Sequence, residues 1–299
     1  MELRQSDTLY SEYLYGAPLY PAAPLAWLAP FLSFACGAAA SGAWAWTGSS
    51  LLKLLLGLLL AGPLLGMAWA AGTRTEWRKN PGSRVPVAGL PRPSQALPYT
   101  LPGSVSYRLT TWLSVIAAWW QQVSPCLRNP LLRLVASTIF SLTVAIQLGP
   151  QCLAIAAAGL VIAYVSGFSR RRWMVSPIIS QSVPLLLTWL LGHAAYAALH
   201  PVSVLVAASF ALAFWGCNGM GRVNEELAWQ VAPQLAAVVS LVMIKQPVIA
   251  AVVGLLATLP LLLAPLLETQ SGREQCFRIV QAQLVANMIL AALAVGHPL

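Results

Sequence analysis

Long apolar stretches, separated in turn by tight connections and by basic segments, dominate this chain of 299 residues. Hydrophobic residues make up 58% of the sequence and charged residues only 8%. A soluble domain carries roughly 25% charged residues, so water is not the solvent for most of this surface. The sequence therefore predicts an all-α polytopic membrane protein, a single transmembrane helical domain over residues 1–299.

A membrane-spanning helix needs about 20 mostly apolar residues, and nine stretches approach that scale. We expect a helical bundle of about nine spans, preceded by a cytoplasmic N-terminal segment over residues 1–24 without the pattern of a cleavable signal peptide. The predicted spans lie near 25–47, 51–71, 131–148, 151–168, 175–198, 202–217, 229–245, 248–266 and 277–296.

The connections between these spans alternate in character. Four are tight and poor in charge: Thr47–Ser50, Gly149–Gln151, His200–Pro201 and Lys245–Pro247. The others carry the positive residues: Arg74, Arg78, Lys79, Arg84, Arg92, Arg108, Arg128, Arg170, Arg171, Arg172, Arg222 and Arg273. Basic connections mark the cytoplasmic side, which predicts a cytoplasmic N-terminus and an external C-terminus in a plasma or inner membrane. This placement also argues against a nucleic-acid partner, since the positive charges are spread among loops between spans.

The segment 72–130 is predicted to be a long basic cytoplasmic loop. Six prolines between residues 81 and 103 exclude a long helix there. The following stretch, 107–124, is short for a span and contains Trp112, Trp119 and Trp120. Tryptophan favours the headgroup level of a bilayer, so we predict an interfacial helix near 107–124.

The span order, the N-terminus inside and the polar loops after the second and sixth spans together resemble the UbiA superfamily of intramembrane prenyltransferases. The opening pair of apolar spans looks like that of the family. Tyr164, Val165 and Ser166, followed by Arg170–Arg172, are similar to its tyrosine–serine and basic pattern. The resemblance covers nearly the whole chain and implies a UbiA-like bundle whose members join a polyprenyl chain to an acceptor.

Two acidic motifs of the family are thinned out in this chain. Where the family has NDxxDxxxD after the second span, the ungapped register places Thr73, Glu76 and Asn80 at the three aspartates. It then reaches Arg84 at the start of an RPxxSG-like stretch. Where the family has DxxDxxxD after the sixth span, this chain has Asn218, Gly221 and Glu225. Of six expected carboxylates, Glu76 and Glu225 remain, one in each loop.

Losing these carboxylates has an electrostatic consequence. Ionising an allylic diphosphate requires Mg²⁺, and Mg²⁺ prefers several hard oxygen ligands in an octahedral array. Glu76 and Glu225 are the metal-binding and catalytic candidates if the protein is active, with Mg²⁺ as the cofactor. The resemblance and the chemistry of phosphate binding indicate the ligand-binding candidates Arg74, Arg78, Asn80, Arg84, Asn218, Tyr164, Arg171 and Arg172. For the arginines the alternative is topology-determining charge, and for the glutamates it is solvated loop acids.

These observations leave several functions open. The first is a UbiA-like protein that has lost ordinary Mg-diphosphate prenyl transfer, a pseudoenzyme that binds an isoprenoid, quinone or pigment-tail ligand. It would act as a binder or as a subunit of a membrane protein complex. The alternative is a divergent but active polyprenyl transferase that uses Glu76 and Glu225. A third is a pigment- or cofactor-binding subunit with His193, His200 or His297 as an axial ligand.

Overall fold

The computed structural model describes residues 28–74, 105, 107–110, 112–113, 125–168, 177–216, 223–264 and 270–297. Within these residues the regular structure is entirely helical, with no strand, which agrees with the predicted all-α class. The helices in chain order are α1 Ala29–Ala40, α2 Gly48–Leu59, a π-helical segment Leu60–Leu64, α3 Leu65–Arg74, α4 Pro125–Leu148, α5 Pro150–Phe168, α6 Pro177–Ala194, α7 Pro201–Gly216, α8 Val223–Met243, α9 Pro247–Ala257, α10 Leu259–Leu262 and α11 Gln270–Gly296.

These helices overlap every stretch that the sequence predicts as a span. Three helical stretches are long and apolar enough to cross a membrane by length and composition: Gly48–Trp69, Leu131–Leu148 and Arg278–Gly296. The other apolar stretches, counted over residues whose side chains are described, are 10–17 residues long. The helical build and apolar composition support an integral membrane protein, while the number of spans and their orientation stay predictions.

The first predicted span ends earlier than expected. The prediction extended it to about residue 47, but α1 ends at Ala40. Gly42 has a φ of 65°, a left-handed conformation that favours glycine and stops the helix. The Ser41 hydroxyl also donates to the Ala38 oxygen at 2.6 Å, which satisfies a carbonyl at the helix end. Trp44 and Trp46 therefore lie beyond α1, in an exposed turn.

Two of the four predicted tight connections are confirmed as tight. Gly149, with a φ of 125°, alone separates α4 from α5. Residues 244–246 join α8 to α9, with Lys245 at a φ of 62°. The other two are longer than predicted, because α1 and α6 end early: they cover 41–47 and 195–200. Thr47 caps α2, since its hydroxyl oxygen accepts from the Ser50 amide at 3.3 Å.

Helices α2 and α3 form one rod that widens into a π-helical segment around Pro63. Proline has no backbone N–H to donate to the preceding turn, and its ring crowds the carbonyl there, so the regular hydrogen-bond pattern is interrupted. The rod continues through the break to Arg74, and α4 begins at Pro125. Residues 72–74 and 125–130, at the two ends of the predicted loop, are therefore helical. Within the predicted interfacial helix, residues 107–110 and 112–113 are helical with Trp112 exposed, and the other positions lie outside the described residues.

The centre of the bundle is the crossing of α1 and α6, where two backbones approach closely at glycines. A Cβ at Gly37 would collide with the backbone oxygen of Trp189, and one at Gly192 would collide with that of Phe34. Ser33 donates from its hydroxyl to the Leu185 oxygen across the same crossing at 2.8 Å. Small residues and interhelical hydrogen bonds are the usual means of joining helices in lipid, where apolar side chains gain nothing by leaving the solvent.

Tyr196 ties the turn after α6 to the start of α2. Its hydroxyl donates to the Ser50 oxygen at 2.7 Å, and the Lys53 ammonium lies 5.9 Å from the centre of its ring. Burial raises the pKa of the Tyr196 phenol. A raised pKa means that folding favours the neutral phenol, so its stabilising contribution is present below pH about 10 and is lost as the pH rises beyond that.

We expect Tyr196→Phe to lower the free energy of unfolding by about 1 kcal/mol at neutral pH, because the Ser50 oxygen loses its donor. The measurement is thermal unfolding of the detergent-solubilised protein from neutral to strongly alkaline pH. The wild type should lose stability above pH about 10, and the gap to the variant should close. A variant that melts with the wild type at neutral pH would show that this hydrogen bond does not hold the turn.

Candidate functional site

Most residues predicted for the ligand site lie outside the described residues: Glu76, Arg78, Asn80, Arg84, Asn218, Arg171 and Arg172. Arg74 is the last residue of α3, and Glu225 lies in the first turn of α8; only their backbones are described. Thr73, at the first aspartate position of the motif, lies within α3. A pairing of Glu76 with Glu225 across a cavity, and any Mg²⁺ they would share, stays a prediction.

Helix α3, which leads into the first predicted motif loop, and helix α8, which follows the second, belong to different parts of the bundle. Helix α3 packs on α4 and α5, whereas α8 packs on α7, α9 and α11. Between them, α5 packs on α6 and α6 packs on α7, with α1 against α6. A site that uses both loops would therefore join parts of the chain that intervening helices separate.

Tyr164 is the one predicted site residue whose side chain is described. Its hydroxyl is in close hydrogen-bond contact with Thr138 on α4. The Thr138 hydroxyl donates in turn to the Leu134 oxygen at 2.6 Å, so Tyr164 donates to Thr138. These two consecutive hydrogen bonds link α5 to α4, and the Tyr164 hydroxyl proton is engaged in the first of them. A ligand role for Tyr164, which the resemblance implies, stays a prediction.

A group of buried side-chain amides lies between α8, α9 and α11; we call it the carboxamide cluster, comprising Gln230, Gln234, Gln283 and Asn287. The Gln283 amide nitrogen donates to the Gln234 side-chain oxygen at 2.7 Å, and that of Asn287 donates to the same oxygen at 2.9 Å. The Gln234 amide nitrogen donates to the Gln230 backbone oxygen at 2.8 Å. The Asn287 amide nitrogen also donates to the Val253 backbone oxygen on α9 at 3.4 Å.

The carboxamide cluster begins directly beside the second motif loop. The Gln230 amide nitrogen donates to the backbone oxygen of Gly216 at 3.4 Å, and Gly216 is the last residue of α7. The next residues, 217–222, contain Asn218. Trp215 and Trp229 flank this point, with ring centres 4.8 Å apart. A line of amides thus runs from the α7–α8 connection into the bundle interior.

Three oxygens of the carboxamide cluster have no hydrogen-bond partner in the described structure: Gln230 Oε1, Gln283 Oε1 and Asn287 Oδ1. The four amides stand within or beside predicted apolar spans, but the sequence does not predict that they converge. The signal that could have found the cluster is spacing. Gln230 and Gln234 are four residues apart, as are Gln283 and Asn287, and such pairs share one helix face.

The side chain of His193, one of the candidates for an axial ligand of a pigment or haem, is held by hydrogen bonds within the protein. His193 is buried, and both of its ring nitrogens have protein partners. Its Nε2 donates to the Ala198 oxygen at 3.1 Å, and its Nδ1 accepts from the Ser203 hydroxyl at 3.1 Å. The Trp189 indole N–H donates to that hydroxyl at 3.0 Å. Axial ligation of a pigment or haem by His193 would require breaking one of these bonds.

In the part of the chain that the structure describes, no three residues among His, Cys, Asp and Glu are grouped so that they could hold a metal ion. The carboxamide cluster offers neutral amide oxygens, which carry no charge to offset a divalent cation. The residues proposed for Mg²⁺ are Glu76 and Glu225, and their side chains are not described.

Comparison with known proteins gives one informative similarity. The chain is 29% identical over 208 residues to the bacteriochlorophyll synthase 34 kDa chain of Chloroflexus aurantiacus, which covers 68% of this chain and 56% of that protein. The chain thus spans little more than half the length of the curated relative it matches. No protein-family model matches the chain, and no solved structure matches it. The similarity supports the superfamily resemblance seen in the sequence.

Proposed function

We propose that this protein is a UbiA-type integral membrane protein that holds an isoprenoid chain and has lost ordinary Mg-dependent transfer from a polyprenyl diphosphate. The observation that carries the family part is the similarity to a bacteriochlorophyll synthase chain, whose name indicates a tetrapyrrole pigment as its product. The same proposal places nine helical segments across the membrane, with the N-terminus cytoplasmic and the C-terminus external.

An apolar ligand suits the composition of the bundle. The described core is built from aliphatic and aromatic side chains with buried amides at a few points, and its lipid-facing helices are strongly apolar. An isoprenoid, including the tail of a quinone or a pigment, reaches such a protein through the bilayer and exchanges one apolar environment for another. The ligand is then selected by shape and by the few polar groups that the bundle offers.

Missing negative charge at the motif positions supports the proposed loss of transfer. Four of six positions that carry aspartate in the family are neutral here: Thr73, Asn80, Asn218 and Gly221. A diphosphate leaving group needs bridging Mg²⁺, and Mg²⁺ needs anionic oxygens to hold it. Arginines near these loops can bind phosphate directly, as point or bidentate contacts, but do not replace a bridged metal pair.

A specific observation favours the alternative of an active enzyme. The two retained carboxylates, Glu76 and Glu225, fall one in each loop at motif positions. One Mg²⁺ held by both glutamates and water, supported by Arg74 and Arg78, could still assist departure of a diphosphate. In that case Glu76 and Glu225 are the metal ligands, and both are required.

The two functions are separated by one assay on the purified full chain. We expect no Mg²⁺-dependent transfer or hydrolysis of tritiated geranylgeranyl diphosphate above a protein-free control. We also expect to find isoprenoid among the lipids extracted from the purified protein. Glu76→Ala and Glu225→Ala should then leave lipid retention unchanged. Turnover that depends on Mg²⁺ and falls at least 100-fold in both variants would establish the active alternative and refute the loss of chemistry.

A protein that binds an isoprenoid or pigment tail without catalysing a reaction is also suited to be a subunit of a membrane protein complex. Under the pigment-binding version of this role, the purified protein would be coloured and His193→Ala would change its spectrum. The two hydrogen bonds that engage the His193 ring make this version the weaker one.

A further inference from the structure

The unpaired oxygens of the carboxamide cluster require a physical explanation. Asn287 is 0% exposed, Gln230 is 4% exposed and Gln283 is 5% exposed, so neither bulk water nor lipid headgroups reach them. A buried acceptor without a donor has lost its hydrogen bond to water and gained none in return, which destabilises the folded protein. Three such oxygens on α8 and α11 therefore destabilise the folded protein unless another group donates hydrogen bonds to them.

The missing partner must be a hydrogen-bond donor that carries no net charge. The unpaired atoms are all acceptors, so a carbonyl oxygen, such as that of a quinone, would add a further acceptor and no bond. A metal or ammonium ion would be a bare charge in the bundle interior with no carboxylate described beside it. A hydroxyl group is neutral, donates one hydrogen bond and accepts others from the amide N–H groups.

Two of the unpaired oxygens lie near the Gln234 side-chain oxygen. Gln283 and Asn287 donate to the same Gln234 oxygen, at 2.7 Å and 2.9 Å, so their own oxygens lie within about 5 Å of that atom. The core around the cluster is apolar and includes Ala237, Leu241, Val253, Leu284 and Met288. A hydroxyl head could donate to one of these two oxygens and accept from the amide nitrogen of the other residue, with a hydrocarbon tail among these side chains.

We propose that the carboxamide cluster binds the hydroxyl group of a long-chain aliphatic alcohol that enters from the membrane. The amide groups admit it by turning about their terminal torsions, which are broad in glutamine and asparagine, while Gln234 keeps α8 attached to α11. The proposal rests on the proposed function in one respect, namely that the bundle accepts an isoprenoid-like chain. It adds that the head group of this ligand is an alcohol.

The test is equilibrium binding of tritiated geranylgeraniol to the full chain in nanodiscs, corrected for partition into protein-free nanodiscs. The matched probe is geranylgeranyl methyl ether, which has the same tail but no O–H donor. We expect the alcohol to bind about tenfold more tightly than the ether, the effect of one hydrogen bond donated to a buried acceptor.

Two variants locate the preference within the protein. Gln283→Leu and, separately, Asn287→Leu remove an unpaired oxygen while Gln234 retains one donor. In the variant that removes the oxygen to which the alcohol donates, the alcohol-over-ether ratio should fall to about two or less, with ether binding unchanged. The control is Gln147→Leu, which removes an exposed amide on α4 and should keep the wild-type ratio. Because ether binding reports a folded bundle, a misfolded variant is recognised by loss of both ligands.

Equal binding of alcohol and ether to the wild type would overturn the alcohol site, leaving isoprenoid binding intact; water alone would then occupy the cluster. A preference that survives in both cluster variants would overturn it as well. If neither probe binds the wild type, the proposed function's isoprenoid binding fails together with this site. The outcomes therefore separate a wrong head group from a wrong ligand class.

Discussion

Replacing Gly37 by alanine should lower the thermal unfolding midpoint by roughly 5–10 °C, a large effect for a single methyl group. The added Cβ would collide with the backbone oxygen of Trp189 on α6. A backbone atom cannot turn away as a flexible side chain can, so α1 and α6 must separate. Separation also lengthens the hydrogen bond from Ser33 to the Leu185 oxygen.

Two further variants make this prediction specific to the crossing. Gly192→Ala should destabilise similarly, because its Cβ would collide with the backbone oxygen of Phe34. The double variant should lose less than the sum, since both substitutions open the same contact. Gly48→Ala, at the start of α2, meets nothing within 4 Å and should melt within a degree or two of the wild type. Midpoints are measured by fluorescence-detected size exclusion after heating. Equal midpoints for Gly37→Ala and Gly48→Ala would refute the close crossing.

Gln234→Leu should destabilise the bundle by about 2–4 kcal/mol, whereas Gln283→Leu should change its stability by less than about 1 kcal/mol. Both substitutions remove a buried glutamine of similar size. The Gln234 oxygen accepts from Gln283 and from Asn287, so its loss leaves two buried donors without that acceptor. Loss of Gln283 leaves Gln234 paired with Asn287 and also removes an oxygen that has no partner.

The comparison is made on ligand-free protein, so that binding at the carboxamide cluster does not contribute. Reversible unfolding in mixed micelles gives the free-energy difference, and thermal midpoints give its sign where unfolding is irreversible. If both variants lose the same free energy of unfolding, the two glutamines contribute equally. The hydrogen bonds to the Gln234 oxygen are then not what holds α8 to α11. A Gln234→Leu variant as stable as the wild type would contradict the central role of the Gln234 oxygen.

The positions of the helices were accessible to sequence reasoning because hydropathy is a local property. Each predicted span overlaps a helix, and the turns at Gly149 and Lys245 lie where apolar stretches meet without a basic segment between them. The early end of α1 was not predicted, because Ala43, Trp44 and Ala45 continue the apolar stretch. A single glycine hardly changes hydropathy averaged over many residues. The decisive residue is Gly42, whose left-handed conformation ends the helix within that run.

The sequence predicts members of a candidate site but not how they are arranged in space. The motif register selects Glu76 and Glu225 from eight acidic residues, but their spatial relation depends on loops outside the described part of the chain. The carboxamide cluster shows the opposite case. Its members were visible as intramembrane polar residues, yet Gln234 and Gln283 stand 49 residues apart and their contact cannot be read from spacing within one helix.

By itself, the sequence determined the solvent of this protein and hence its class: apolar stretches of this length form helices in a bilayer, because lipid leaves backbone groups no other partner. It also determined where the helices lie along the chain. Only the tertiary structure decided which faces meet, as at Gly37 against Trp189 and at Gln234 against Gln283. The physical reason is that all sides of these helices are comparably apolar and lipid is as apolar as they are. Hydrophobicity therefore does not choose the contacts; close backbone approach and a few buried hydrogen bonds do.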